Sequence, residues 1–266
     1  MLLRRAVSGV GLLVVEPLLA VGRVSLHTAS VFPRIFSGDW EFDELVGQMR
    51  EFGVSSLPMI LMVSFFMGMV VAVNTVGSFI RFGAENYVGG IGALTMVREL
   101  SPLLSGILIA GRIGSAMTAE IGSMKITEQI DALLTFGIDP VAYIGVPRVL
   151  AGILMVPLLN IFSVVMGMIG EYVMAVMYSG IASGVFHASV ADFLEFKDVW
   201  GSLIKSVVFG FIVSVVGCAE GFASSGGARG VGYRTTMSVV VSINLILFMD
   251  YIISLWIWGG VWGGIY

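Results

Sequence analysis

The sequence predicts an all-α integral membrane protein: an N-terminal interfacial helix, then five transmembrane helices, with a short cytoplasmic surface helix between the second and the third. Three observations carry this reading. Of 266 residues, 57% are hydrophobic and 12% are charged, and the mean hydropathy is +0.98, whereas an ordinary soluble domain carries about 25% charged residues. Apolar runs of the about 20 residues that a bilayer crossing requires recur along the chain. Between two of them lies a segment rich in small and charged residues, GRIGSAMTAEIGSMKITEQIDALLTFGIDP at 111–140. Its pattern fits a helix of roughly 10–13 residues, too short to span.

The inventory narrows the function. Thirty-five glycines and sixteen methionines suit a bundle with close backbone contacts and adaptable packing. One cysteine, Cys218, and two histidines, His27 and His187, exclude a disulfide framework and argue against a metal cluster. A net charge of −4 provides no electrostatic footprint for nucleic acid. The length suits one integral-membrane domain, residues 54–266, behind an interfacial region, residues 1–53.

Residues 1–53 open with Arg4 and Arg5, pass through an apolar stretch cut by Glu16-Pro17, and carry Arg23, His27 and Arg34. The interruption and the later basic residues fit an amphipathic helix at the headgroups better than a cleaved signal peptide. Residues 39–51 are the most polar part and read as a solvated approach to the first span. Residues 57–80 are uncharged and long enough to cross, with Pro58 in the first turn, where proline is tolerated. In the run 87–111, Arg98-Glu99 leaves two halves of about 12 residues, neither able to cross alone. One long helix carrying a charged pair at depth, turned toward the bundle interior, is the economical reading.

The third span is 149–170, where Pro157 and Asn160 predict a kink or a polar contact between helices, and Glu171 marks the approach to the interface. Residues 179–200 read as a loop with a mildly acidic cluster, Asp192, Glu195 and Asp198 against Lys197. The fourth span, 199–222, carries Lys205 inside and Glu220 near its exit. SSGGARGVGY at 224–233 reads as a tight glycine-rich turn. It is no phosphate loop, lacking G-x-x-x-x-G-K-[ST] and a preceding strand. The fifth span runs from Thr236 to about Trp258 with Asp250 deep within it, and Trp256, Trp258 and Trp262 make an aromatic end suited to the interface.

Charge bias orients these spans. With a cytoplasmic N-terminus, ten Lys and Arg residues fall inside, only Arg81 and Lys197 fall outside, and Arg98 and Lys205 lie in the membrane. Basic residues favour cytoplasmic loops, so the C-terminus is expected outside and the surface segment in the cytoplasm. On that segment Ile126, Ile130, Leu133 and Leu134 share one helical face, while Thr127, Glu128, Asp131 and Thr135 share another. Gly137 and Asp139-Pro140 supply stop signals. The helix, about 123–136, either covers helix ends as a linker or docks a cytoplasmic subunit. In the second case Glu128 and Asp131, three apart on one face, present carboxylates to basic residues.

The 111–140 segment also resembles the signature of the MlaE/YrbE permeases, the membrane subunits of ABC transporters that move phospholipids or other lipids. The resemblance extends to RELSPLL at 98–104, PRVLAG at 147–152 and GGARGVG at 226–232, and covers most of the chain from about residue 50. It implies a homodimeric, non-catalytic subunit of a bacterial inner-membrane system, of the type that maintains outer-membrane lipid asymmetry. It further implies that ATP and Mg are bound by a separate cytoplasmic ATPase, with no cofactor in this chain. A periplasmic MCE-domain lipid-binding protein and a small cytoplasmic accessory subunit complete the implied partners. The surface helix is similar to the family's coupling helix, which makes Glu120, Lys125, Glu128 and Asp131 the ATPase-coupling candidates.

Arg98, Glu99, Lys205 and Asp250 are the candidates for the lipid path. A charge at the bilayer centre costs at least about 2.5–3.5 kcal/mol on insertion scales, so four would not persist facing lipid. They are structural ion pairs, a polar wall where Arg98 and Lys205 meet an anionic headgroup that Glu99 and Asp250 otherwise neutralise, or both. The competing function is a self-contained proton-coupled secondary transporter relaying protons through Glu99 and Asp250. That reading expects internal repeats, and none is evident between the two halves. An intramembrane hydrolase finds no support, since G-x-S-x-G is missing.

Overall fold

The computed structural model describes residues 2–38 and 40–259, with the side chains of residues 2–18 and 20 left aside. Among the described residues every regular element is helical. Helix α1 (Leu2–Ser37) is followed by α2 (Phe42–Gly53) and α3 (Leu57–Arg81), then by α4 (Val88–Thr95), α5 (Ser101–Ile109) and α6 (Ser115–Ile126). A short α7 (Gln129–Thr135) precedes α8 (Val146–Tyr172), α9 (Ser183–Phe193), α10 (Phe196–Phe222) and α11 (Gly227–Trp258). Among the described residues five stretches are long and apolar enough to cross a membrane: Phe42–Arg81, Glu85–Ile126, Val141–Tyr178, Phe196–Phe222 and Gly227–Trp258. The five expected spans are therefore present.

The second of these confirms one helix with a charged pair inside it. Helices α4, α5 and α6 follow one another through two π-turns, Met96–Leu100 and Ala110–Gly114. A π-turn inserts one residue into a helix and re-aims the side chains beyond it. The first such turn contains Arg98 and Glu99.

Glu16-Pro17 cuts only the apolar pattern, and α1 runs through it as one helix. Three sequence expectations change. The solvated approach at 39–51 is instead the amphipathic α2, whose Leu45 and Phe52 are buried. Residues 179–200 are not simply a loop, because α9 occupies 183–193 and its buried Phe186 packs on Val88 of α4 and Ala175 in one apolar cluster. The glycine-rich stretch is mostly helix. Only Ala223–Gly226 turns, and α11 starts at Gly227, whose φ of +71°, like the +81° of Gly226, demands glycine. Trp262 lies outside the described residues.

The chain divides into two compact units. One takes in residues 1–48, 110–151 and 211–245, and the other residues 49–109, 152–210 and 246–266. In the second unit α3 and α8 touch through small residues: a Cβ at Gly68 would strike the Gly167 carbonyl, and one at Gly170 the Phe65 carbonyl. Ser64 and Ser163 hydrogen-bond across the same contact at 2.7 Å. Small residues matter here because helix association in lipid rests on close van der Waals packing and interhelical hydrogen bonds. Glu171, expected near an interface, is fully buried in this unit, and its carboxyl lies where a Cβ on Gly92 would collide with it.

In the first unit α6 and α10 are similarly close. Thr118 Oγ1 donates to the Gly217 carbonyl at 3.0 Å, and Gly221 faces Ile121 with no room for a side chain.

Candidate functional site

All four charged candidates of the spans lie in the second unit, and they meet. Lys205 on α10 has no exposed surface, yet its ammonium donates to Glu99 Oε2 at 2.7 Å and to the Arg98 carbonyl at 2.8 Å, and it forms an ion pair with Asp250 Oδ1 at 2.9 Å. The Arg98 guanidinium turns to a different carboxylate, Asp198 Oδ1, at 2.7 Å.

Three further residues join the cluster. Trp258 Nε1 donates to Asp198 Oδ1 at 3.1 Å, and its ring lies 5.3 Å from the Arg98 guanidinium carbon and 5.0 Å from Lys205 Nζ. Both distances fall within the roughly 6 Å reach of a cation–π contact. Ser254 Oγ donates to Glu99 Oε1 at 3.2 Å. The cluster thus joins residues 98 and 99 of the π-turn to α10 and to the end of α11.

Two cations face three carboxylates, so the cluster is formally one charge negative. Burial of so many charges is tolerable because each has a partner of opposite sign. Both cations are already engaged. An anionic group reaches Lys205 only if a carboxylate withdraws, and Glu99, with 40% of its side chain exposed, is the member with most room to do so.

Asp198, Ser254 and Trp258 were not among the sequence candidates, although spacing points to them. Asp198 lies seven residues before Lys205, two turns up the same helix face, and Asp250, Ser254 and Trp258 repeat every four residues. Trp258 serves the cluster, while Trp256 is exposed as an interfacial residue would be.

The first unit holds a separate set of ion pairs. Glu220, fully buried, accepts from Arg23 of α1 at 2.8 Å and from Arg234 of α11 at 2.9 Å. Arg148, almost fully buried, pairs with Glu120 of α6 at 2.9 Å and approaches Glu44 of α2 at 3.9 Å. Arg34 binds Asp139. Burial alone would raise the Asp139 carboxyl, but the Arg34 guanidinium and the Val141 and Ala142 amides outweigh it and hold the group below the usual carboxylate range. Burial also lowers His27 to about 4, with Arg34 adding to the effect. The His27 ring lies 5.5 Å from that of Phe222.

The surface segment is not the single helix expected at 123–136. Helix α6 ends at Ile126, and α7 begins only at Gln129. Between them Glu128 sits in the left-handed region at φ +60°, the only non-glycine with positive φ among the described residues. Glu128 and Asp131 therefore do not share a helical face. Asp131 instead pairs with Lys125 at 2.9 Å across the turn. Ile130 is buried, whereas Leu134 and Phe136 are 57% and 80% exposed. Of the coupling candidates, Lys125 and Asp131 are joined, Glu120 is drawn to Arg148, and Glu128 makes the turn.

Among the described residues no group of three or more His, Cys, Asp or Glu side chains is arranged to hold a metal ion. Cys218 is buried.

Comparison with known proteins supplies the family. The model of the MlaE permease family matches residues 45–256. The chain belongs to the MlaE permease family. Among MlaE-like relatives, a probable ABC transporter permease of Rickettsia typhi is 38% identical over 88% of this chain and 91% of its own length. A probable ABC transporter permease of Synechocystis is 40% identical over 85% of this chain and 86% of its own. The chloroplast protein trigalactosyldiacylglycerol 1 of Arabidopsis thaliana is 37% identical over 87% of this chain and 66% of its own. Membership in this MlaE family of ABC permeases implies a multi-pass membrane transport subunit that works with an ATPase.

Proposed function

We propose that this chain is one half of a homodimeric lipid permease of the bacterial inner membrane, with phospholipid as cargo and its N-terminus in the cytoplasm. Residues 1–53 are its interfacial region and residues 54–266 its permease domain. ATP and Mg are bound by a separate cytoplasmic ATPase, a periplasmic MCE-domain protein receives or supplies lipid, and a small cytoplasmic subunit attaches to the ATPase. The galactolipid in the name of the Arabidopsis relative supports a lipid cargo.

The observation that carries the mechanical part is the exposure of Leu134 and Phe136 on the amphipathic segment between the second and third spans. Apolar side chains offered to the aqueous side beside Glu128 and Asp131 suit a groove with an apolar floor and a basic rim. ATPase closure pushes on this segment, and α6 carries the push into its span as a rigid body. In the membrane, Arg98, Glu99, Lys205 and Asp250 line the lipid path. Glu99 withdraws from Lys205 as cargo arrives, so an anionic headgroup takes its place and is released when the carboxylate returns. Transport then follows from the difference in lipid affinity between the two arrangements.

The test is co-purification from membranes. Glu128→Lys combined with Asp131→Lys is expected to release the ATPase while the chain still inserts and melts as the parent does. Undiminished ATPase retention would contradict the docking assignment.

A further inference from the structure

A groove in the second unit follows one face of α8, and none of Arg98, Glu99, Lys205 or Asp250 lines it. Ile161, Val165 and Ile169, four residues apart and each about half exposed, form its floor with Val164 and Met168 beside them. The groove has two parts, of about 80 Å³ and about 310 Å³, and Val165 lines both. Val97, Val199 and Leu203 wall the smaller part, and Phe186 and Val190 of α9 wall the larger.

The two ends differ from the middle. At one, the apolar lining stops at Asn160, whose Nδ2 donates to Ser202 Oγ at 2.8 Å. At the other stand Tyr172, His187 and Ser183, with the Tyr172 and Ser183 hydroxyls 3.0 Å apart and His187 Nδ1 2.8 Å from the Ser183 carbonyl. The Tyr172 ring packs against Phe186 at 5.5 Å and His187 at 5.4 Å, so this mouth is preformed.

We propose that the groove binds one acyl chain of a membrane phospholipid, drawn from the leaflet at the Tyr172 end of the span, with the lipid's polar part at the Tyr172–Ser183–His187 mouth. Length selects this occupant. Asn160 to Tyr172 is about 18 Å of helix at 1.5 Å per residue, close to the roughly 15 Å hydrocarbon depth of a single leaflet. Polarity agrees, because the hydrogen-bonding mouth lies near the end of the Val141–Tyr178 span and the lining between the ends is apolar. The larger part alone has the volume of a small-molecule site, about 300 Å³ or more. This site is separate from the transport path and holds a lipid that belongs to the assembly.

The test uses the intact complex in vesicles of phosphatidylethanolamine and phosphatidylglycerol, doped with a phospholipid carrying a photoreactive diazirine on its acyl chain. Labelled residues are mapped by mass spectrometry. Val165 and Ile169 are expected to label about tenfold more than exposed Val240 and Leu247 of α11, the effect of roughly 1.4 kcal/mol of preferential binding. Val165→Trp, which fills the waist, should abolish that preference. Val165→Leu should keep it, so that a loss in the tryptophan variant is not mistaken for misfolding. Equal labelling of all these positions, or a preference that survives Val165→Trp, would overturn the proposal. Protection of the groove by a co-purifying subunit would also overturn it, by giving the face to a partner helix.

Discussion

Lys205→Ala is the most informative single change in the charged cluster. It removes an ammonium with no exposed surface and leaves Glu99 and Asp250 facing each other without a cation, along with an orphaned Arg98 carbonyl. Breaking a buried pair by deleting one partner costs about 3–5 kcal/mol. The partial exposure of Glu99 lets solvent screen one of the carboxylates, so the lower end, about 3 kcal/mol, is expected. At roughly 2–4 °C per kcal/mol for a chain of this size, the unfolding midpoint should fall by about 6–12 °C. Lys205→Met with Glu99→Gln and Asp250→Asn removes all three charges together, and neutral replacement of buried ions is often nearly neutral in stability. The triple variant should therefore melt within about 3 °C of the parent. It should nevertheless fail to transfer labelled phospholipid, if an anionic headgroup must exchange with Glu99 at Lys205. Melting is followed by tryptophan fluorescence in detergent, and transfer in proteoliposomes. A parent-like melt for Lys205→Ala would refute the energetic reasoning, and full transfer by the stable triple variant would reduce the cluster to a structural tie.

Three further outcomes follow from the packing and the titrations. Gly92→Leu should destabilise by at least about 2 kcal/mol through overpacking against Glu171, whereas Gly77→Leu, with open space around it, should not; thermal melts of the two distinguish them. Glu128→Gly should raise stability by up to about 1 kcal/mol by relieving a left-handed φ, read as a higher unfolding midpoint. His27 is held neutral by a folded value near 4 against 6.5 unfolded, so the unfolded chain takes up the proton first. Stability attributable to His27 is thus constant above pH 6.5, falls as pH drops from 6.5 toward 4, and levels below. The loss is at most about 3 kcal/mol. Subtracting the pH profile of His27→Phe from that of the parent isolates this slope, and parallel profiles would refute it.

Much of the fold is legible in the sequence because lipid imposes a blunt constraint: long uncharged runs must cross, and charges within them must find partners. That logic locates five spans and singles out Arg98, Glu99, Lys205 and Asp250, which the structure brings together. It fails where a residue's role depends on a neighbour remote in sequence. Asp198 looks like one acid of a loop until α10 is extended back to Phe196, and Trp258 looks like an interfacial anchor until Asp198 is there to accept from its ring N–H. Likewise Glu171 looks like a boundary marker, because nothing local announces that Gly92 makes room for its carboxyl. The surface segment misleads for a different reason. The apolar spacing from Ile126 to Leu134 continues across Thr127 and Glu128, but the backbone reverses at Glu128, a conformation that only glycine would have advertised.

The central claim is that this chain moves lipid with force generated by a separate ATPase. It is tested most directly by reconstituting the chain with its co-purifying ATPase in vesicles and following labelled phospholipid transfer with and without ATP. The account predicts transfer that requires ATP hydrolysis, persists without a proton gradient and is lost in Glu128→Lys with Asp131→Lys. Transfer driven by a proton gradient in the absence of ATP and of any ATPase would contradict it.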